Sequence, residues 1–116
     1  MLKIKRRYDK PDDNDGFRIL VDRLWPRGVT KQRAKLDLWL KDIAPSTELR
    51  KWFGHDLQRW QEFYNRFVLE LEVKKELLEL IAKREKAGTV TLLFAGRDEK
   101  HNEAVILKEI IDSRQK

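Results

Sequence analysis

Two short polar segments of the chain carry residue types that can bind or transform a charged ligand. The first segment, residues 22–28 (DRLWPRG), places Arg23 and Arg27 on either side of Trp25. A guanidinium group can bind a phosphate or a carboxylate through two parallel hydrogen bonds, and an indole ring can stack on a planar ligand. We therefore predict that this segment binds an anion through Arg23, Trp25, Arg27 and Gly28.

The second polar segment, residues 96–102 (GRDEKHN), precedes a predicted helix. The free backbone N–H groups and the dipole of a helix N-terminus favour bound anions. We predict that Arg97 and Asn102 contribute ligand contacts there. If the site performs a reaction, the residue types favour acid–base chemistry, for which histidine is suited because it titrates near neutral pH. The candidates for proton transfer are Asp22, Asp98 and His101.

Each polar segment follows a predicted strand. Residues 17–22 (FRILVD) form a short apolar run, and residues 89–95 (TVTLLFA) are apolar at both even and odd positions. The second pattern is typical of a strand that is covered on both faces of a sheet. Ligands of open parallel sheets bind beyond the carboxyl ends of the strands. If the two strands are parallel neighbours, both segments open onto one edge, where we predict a pocket for an anionic small molecule such as a nucleotide or a phosphorylated metabolite.

The candidate residues also have purely structural interpretations. Asp98 can cap the final helix, His101 can be an ordinary surface residue, and Arg97 can pair with Asp22. These alternatives stay open because the sequence does not show whether the two segments meet.

The N-terminal elements are two strands and an acidic loop. Residues 2–8 alternate in polarity and predict a half-buried strand, whereas residues 9–16 are acidic, rich in turn formers and expected to be solvated. This loop does not match the EF-hand calcium pattern, because Pro11 occupies the position of the first ligand. It is also too short for a parallel crossover, so the first two strands are either an antiparallel pair or not neighbours.

Helix signals define the rest of the chain. The predicted helices are one capped by Thr30 and ending near Asp37, one from Ser46 to Gly54, a helical region at 57–86 and a final helix after residue 98. Residues 38–43 favour a short strand. The aromatic stripe of the helical region predicts burial in the core, and Lys74 interrupts it, which leaves open whether there is one helix or two. Strands separated by helices predict a single α/β domain over residues 1–116, with a mostly parallel sheet of about four strands flanked by helices.

Composition restricts the class of protein. The 116 residues include 26 Lys and Arg against 20 Asp and Glu, which gives a net charge of +6, and there is no cysteine. The chain therefore has no disulfide, thiolate nucleophile or Cys-ligated zinc, and its two histidines show no metal-ligand spacing, so we predict no metal site. No apolar run is long enough to span a membrane, and we expect a cytoplasmic protein. The sequence identifies no cofactor.

Three long strings of the sequence are specific enough to indicate a family. They are DRLWPRG at 22–28, LDLWLKDIAPSTELRKWFGHD at 36–56 and VTLLFAGRDEKHNEAVILKE at 90–109, and they resemble the YeaO-like branch of the domain of unknown function 488 (DUF488) family. The resemblance implies a small α/β fold, marks the DRLWPRG and RDEKHN segments as hallmarks, and implies no particular reaction. The chain departs from the family at Gly96, where relatives often have alanine, and it lacks the cysteines of some distant branches.

A second function class, a nucleic-acid-binding module, also fits the residue pattern. The segment at 23–35 contains five cationic side chains and no acid: Arg23, Arg27, Lys31, Arg33 and Lys35. Together with Lys3, Arg6 and Arg7, this basic patch can contact phosphates. No recognised nucleic-acid-binding motif accompanies it.

A third function class is a structural subunit. An exposed Trp39 or Trp52 would mark a surface through which such a subunit associates with itself.

Overall fold

The four strands of the sheet come from the apolar segments of the sequence. The computed structural model describes residues 1–114. Its strands are β1 (Leu2–Arg6), β2 (Phe17–Leu20), β3 (Leu38–Trp39) and β4 (Val90–Phe94). They lie in the order β1-β4-β2-β3, and every neighbouring pair is parallel. The predicted α/β fold with a sheet of about four strands is therefore confirmed.

Strand β4 lies between two other strands, and both of its faces are covered. Val90 pairs with Leu2 on one side and with Phe17 on the other. All five side chains of β4 are buried, and the polar one, Thr91, donates its hydroxyl to the Asp15 carbonyl at 2.7 Å. β4 thus separates β1 from β2. This confirms that the first two strands are not neighbours, as the short connection between them allowed.

Strand β2 is shorter than the predicted strand at 17–22. Its pairing with β4 ends at Leu20, and the N–H of Val21 adds one further hydrogen bond to the Leu93 carbonyl at 3.1 Å. Asp22 therefore lies just beyond the strand, at the carboxyl edge of the sheet.

Five helices accompany the strands within residues 1–114. They are α1 (Lys31–Ala34), α2 (Thr47–Phe53), α3 (Trp60–Leu71), α4 (Lys75–Ala87) and α5 (Glu103–Arg114), with 3-10 turns at Asp13–Asp15, Lys41–Ile43 and Leu57–Arg59. Two predicted N-caps are confirmed: the Thr30 hydroxyl accepts from the Arg33 N–H and the Ser46 hydroxyl accepts from the Leu49 N–H, both at 3.1 Å. None of these helices is long and apolar enough to cross a membrane.

Helix α1 ends earlier than the predicted position near Asp37. Lys35 adopts a left-handed backbone conformation, with φ of 47°, and stops the helix. The buried Arg18 then donates from Nη2 to the Ala34 carbonyl at 3.0 Å and from Nε to the Lys35 carbonyl at 3.1 Å. Carbonyl groups of a last helical turn have no partner inside the helix, so Arg18 satisfies them and fastens α1 to β2.

The helical region at 57–86 is interrupted where the sequence left the question open. Helix α3 ends at Leu71 and α4 begins after a short turn that contains Lys74. The prediction that the aromatic stripe lies in the core is confirmed, since Phe63 and Phe67 are both buried in the main apolar cluster.

The acidic loop before β2 is not wholly solvated, which corrects the expectation from its composition. Asp15 is only 5% exposed and binds Lys5, at 3.1 Å, and Arg18. Burial raises the pKa of Asp15, but hydrogen bonds from the Asp12 backbone and from the two cations outweigh burial and lower it. The first strand is also shorter than the predicted one at 2–8: Tyr8 lies beyond the end of β1 and is exposed.

Gly16 is required where the chain enters β2. Its φ is +66°, and a Cβ at this position would lie 2.1 Å from the Thr89 carbonyl oxygen. We expect Gly16→Ala to lower the free energy of unfolding by more than about 2 kcal/mol, because left-handed strain adds to a clash with fixed backbone. Denaturant unfolding measures this. Gly96→Ala is the matched control, since nothing lies within 4 Å of its added Cβ; equal losses for the two variants would contradict the explanation.

Candidate functional site

A cavity of about 380 Å³ lies beyond the carboxyl ends of β2 and β4. Because these strands are parallel neighbours, the segments that follow them leave the sheet at the same edge. Residues 22–26 form one part of the wall, and most of residues 95–103 form another. α2 with its flanking residues and Phe63 of α3 complete it. The volume falls within the range of small-molecule sites, roughly 300–1,000 Å³.

The cavity brings together most of the residues that the sequence singled out. Those that line it are Asp22, Arg23, Trp25, Asp98, His101 and Asn102. The others, Arg27, Gly28 and Arg97, are exposed and lie outside the wall. Gly28 has φ of 72° and provides a left-handed turn after the arginine.

Arg23 holds the first polar segment against the chain that leads into α2. Its Nε donates to the Pro45 carbonyl and its Nη2 donates to the Ala44 carbonyl, both at 3.1 Å. These bonds use part of the five N–H groups of a guanidinium. Within the described residues the Nη1 group has no hydrogen-bond partner, so it is the part of Arg23 that a ligand can use.

Two tryptophans fix the backbone of the same segment. Trp25 Nε1 donates to the Val29 carbonyl at 2.7 Å, and Trp39 Nε1 donates to the Asp22 carbonyl at 2.8 Å. The two rings meet edge to face with centroids 5.2 Å apart. Because its N–H is already bonded, Trp25 offers the cavity an apolar ring surface. Trp39 keeps 37% exposure, whereas Trp52 is half-buried and stacked against two arginines.

Asp98 positions the imidazole of His101 at the cavity wall. Asp98 Oδ1 accepts from the N–H groups of Lys100 at 2.8 Å and His101 at 3.0 Å, and Oδ2 lies 3.0 Å from His101 Nδ1. The Lys100 bond, followed by those of His101, lowers the pKa of Asp98 although partial desolvation opposes the shift. The His101 ring also meets Trp60 edge-on at 5.1 Å. The imidazole is thus held in one orientation, as a ligand contact or proton carrier requires.

Asn102, not Asp98, caps helix α5, so that structural alternative is wrong. The Asn102 side chain accepts from the Val105 N–H at 3.0 Å and donates to the Asp98 carbonyl at 2.9 Å. Asp98 instead organises the turn before the helix. With both ends of its amide occupied and only 6% exposure, Asn102 supports the wall more than it offers contacts to a ligand.

The structure reveals a carboxyl pair that sequence reasoning missed. Glu103 lines the cavity beside Asp22. Burial raises the pKa of Glu103 well above its usual range, the neighbouring Asp22 raises it further, and Arg50 opposes the shift only in part. Asp22 Oδ2 is buried and has no hydrogen-bond partner among the described residues, so this atom lacks the donor that a buried carboxyl oxygen needs. An acid in the first turn of a helix is common, and nothing in the sequence distinguished this one.

Arg50 is the second residue that sequence reasoning missed. It belongs to α2, lines the cavity, and its guanidinium forms no ion pair or hydrogen bond within residues 1–114. In the sequence it is one of two adjacent cations at 50–51 on a short helix. Only the packing of α2 shows that Arg50 borders the cavity. Phe53 and Phe63, stacked with centroids 4.4 Å apart, give the same wall an apolar part.

His55 lines the cavity as well. Across the described part of the chain, no three His, Asp or Glu side chains converge closely enough to hold a metal ion.

Comparison with known proteins identifies the family. A family model described as "Inactive DUF488-N3 subclade" matches residues 1–116. The chain belongs to this family. It is 38% identical over 112 residues to the uncharacterized protein YeaO of Escherichia coli K12, with 97% of each chain covered. It is 37% identical over 113 residues to an uncharacterized protein of Mycobacterium tuberculosis H37Rv, covering 97% of this chain and 95% of the mycobacterial one. No solved structure gives a significant match.

Membership of the DUF488 family confirms the resemblance seen in the sequence. The two segments that the resemblance marked as hallmarks, DRLWPRG and RDEKHN, supply two parts of the wall of the same cavity. The chain therefore places its most distinctive strings at one site and not at scattered structural positions.

The raised pKa of Glu103 implies a pH-dependent contribution to stability. The unfolded chain loses this proton near the ordinary value of 4.5, whereas the folded chain keeps it to higher pH. The folded state therefore binds more protons between the two pKa values, and this stabilisation is lost as the pH rises through the folded-state pKa.

We expect Glu103→Gln to remove this loss, because glutamine stays neutral and still donates to Asp22. The free energy of unfolding of the variant relative to the wild type should rise with pH above about 4.5, by at most about 1.4 kcal/mol per pH unit. Denaturant unfolding over a pH series measures it. Glu99→Gln, which removes an exposed glutamate of the same segment, should show no such trend. Parallel curves for Glu103→Gln and the wild type would refute the assignment.

Proposed function

We propose that the chain binds a small anionic molecule, such as a nucleotide or a phosphorylated metabolite, in the cavity beyond β2 and β4. The observation that carries this proposal is the Arg50 guanidinium, which lines the cavity and forms no hydrogen bond or ion pair within residues 1–114. The Nη1 group of Arg23 adds donors beside it. Guanidinium groups form their strongest hydrogen bonds with phosphate and carboxylate oxygens, so an anion gains most from this wall.

The remaining surface of the cavity suits the uncharged part of such a ligand. Trp25, Phe53 and Phe63 contribute ring surfaces, on which a planar or apolar group can pack. The exposed Arg27 and Arg97 adjoin lining residues in sequence and raise the local concentration of anions near the opening. A cytoplasmic location, which the cysteine-free composition favours, forms part of the proposal.

The description of the family favours binding over turnover. It calls the subclade inactive, so we propose that the site holds its ligand without transforming it. The residues predicted for acid–base chemistry then serve as hydrogen-bonding groups. In this role Asp98 orients His101 toward the ligand, and Asp22 acts together with Glu103.

The first test uses adenosine monophosphate and ribose 5-phosphate as probes of the two ligand classes. We expect at least one probe to bind, and Arg50→Gln to weaken its binding about tenfold or more, because a charge-assisted hydrogen bond is lost. Isothermal titration calorimetry measures the dissociation constants, and thermal unfolding checks that the variant folds.

The matched control for this test is Arg33→Gln, which removes an exposed arginine of the basic patch outside the cavity. Its affinity for the probe should equal that of the wild type. If both variants weaken probe binding equally, the effect comes from the overall charge of the protein and not from the position of Arg50. If neither probe binds, the proposal is rejected.

A nucleic-acid-binding role is the second candidate, and the exposure of the basic patch favours it. Arg27, Lys31, Arg33 and Lys35 are all exposed. Other residues assigned to this role are engaged elsewhere: Arg23 binds backbone carbonyls, and Arg6 pairs with Asp9 and Glu99. The number of free cations is therefore smaller than the sequence suggested, which is why this role ranks second.

Salt dependence distinguishes this role from the pocket. If the patch binds RNA or DNA, the affinity for a labelled oligonucleotide should fall at least about tenfold between roughly 50 and 200 mM salt. Arg33→Gln should lower the slope of log affinity against log salt concentration by the amount expected for about one phosphate contact. Fluorescence anisotropy measures both. Arg50→Gln serves here as the control that leaves the affinity unchanged. A flat salt dependence would eliminate the role.

A further inference from the structure

The carboxyl pair in the cavity wall joins two separate parts of the chain. Asp22 follows β2, and Glu103 is the first residue of α5. Both line the cavity, and the buried Asp22 Oδ2 has no hydrogen-bond partner among residues 1–114. Asp22 lies close enough to Glu103 to raise the pKa of the Glu103 carboxyl further, because two neighbouring carboxylates repel each other when both are ionised, so the pair as a whole keeps a proton.

We infer that the cavity is a proton-coupled anion site, which takes its anionic ligand only while Asp22 and Glu103 share one proton. This inference rests on the proposed function, because it concerns the same cavity. It adds the chemical condition under which that cavity accepts negative charge, and it identifies Asp22 and Glu103 as the groups that set this condition.

The balance of charge around the cavity supports the inference. The titratable and charged groups that line it are Asp22 and Arg23 after β2, Arg50 and His55 at α2, Asp98 and His101 before α5, and Glu103. With one proton on the pair, the two guanidinium groups balance the pair and Asp98. When the pair loses that proton, negative charge is in excess, and an added anion is repelled at close range.

Arg50 links the pair to the ligand. It lies close enough to Glu103 to oppose the upward shift of its pKa. An ionised Glu103 would therefore compete with the ligand for the same guanidinium, whereas a protonated Glu103 leaves Arg50 free to bind the anion. The proton thus controls both the repulsion felt by the ligand and the availability of its main partner.

A cavity that selects cations is the alternative to an anion site, and its affinity would change with pH in the opposite direction. If the pair selected a cation such as an ammonium or amidinium group, affinity would increase as the pair ionised. If an anion binds only when the pair carries its proton, the affinity instead falls as the pair ionises. The dissociation constant of the anion then rises by up to tenfold per pH unit above the pH at which the pair ionises. The direction of the change therefore identifies the charge of the ligand class.

The test compares wild type and Glu103→Gln with whichever of adenosine monophosphate or ribose 5-phosphate binds, over about pH 5.5 to 9. Titration of the probe cancels in the ratio of the two dissociation constants. We expect the dissociation constant of the wild type divided by that of Glu103→Gln to be near one at the acidic end of the range. This ratio should then increase with pH, by up to tenfold per pH unit. Glu99→Gln, an exposed glutamate of the same segment, should follow the wild type.

A second measurement keeps the inference falsifiable if the variant does not fold. Calorimetry of the wild type in two buffers of different ionisation enthalpy should show uptake of up to one proton on probe binding at alkaline pH and none at acidic pH. A constant ratio, or binding without proton uptake, overturns the inference and leaves the anion site standing. Failure of both probes to bind at every pH rejects the proposed function and the inference with it.

Discussion

Parallel pairing of β2 with β4 is the constraint on which the rest of the site depends. Since both strands run in one direction, the segments that follow them leave the sheet at the same edge, whereas an antiparallel pair would have sent them to opposite edges. The pairing of Leu20 with Leu93 brings the strand ends almost level. β4 pairs with a strand at each of its two edges, and all of its side chains are buried, so both faces of this strand are covered.

The cavity that results has a wall in which most polar groups are already bonded. Arg23 binds carbonyls, Asp98 binds backbone N–H groups, and Asn102 caps a helix. These hydrogen bonds replace those that the same groups would form with water, so burying the groups costs little free energy. The bonds also hold the wall in place. Two features differ: the buried Asp22 Oδ2 has no hydrogen-bond partner among residues 1–114, and within the same residues the exposed Arg50 guanidinium forms no hydrogen bond or ion pair and only a longer-range interaction with Glu103. These two features, and not the number of polar residues, are the basis on which we propose where a ligand binds.

A folded cavity and a family described as inactive are physically compatible. Catalysis needs groups that stabilise a transition state more than a ground state, whereas binding needs only complementary charge and shape. The oriented His101 and the proton-holding pair can serve either purpose, because the same hydrogen bonds that position a general acid also position a ligand. Whether the site binds a molecule or transforms it therefore depends on the molecule that enters the cavity, because the chain provides only the surrounding side chains.

The sequence by itself determined the local features of this protein. Apolar residues on both parities predicted that both faces of β4 are covered, and the Thr30 and Ser46 hydroxyls set two helix starts. Lys74 interrupted the apolar stripe, but the sequence left open whether α3 and α4 are one helix or two. Only the tertiary structure decided that Asp15 is buried and that Glu103 and Arg50 face the cavity. Helix caps and strand patterns depend on neighbours within a few residues. The ionisation of a carboxyl and the freedom of a guanidinium depend on groups brought close from distant parts of the chain, which no local pattern records.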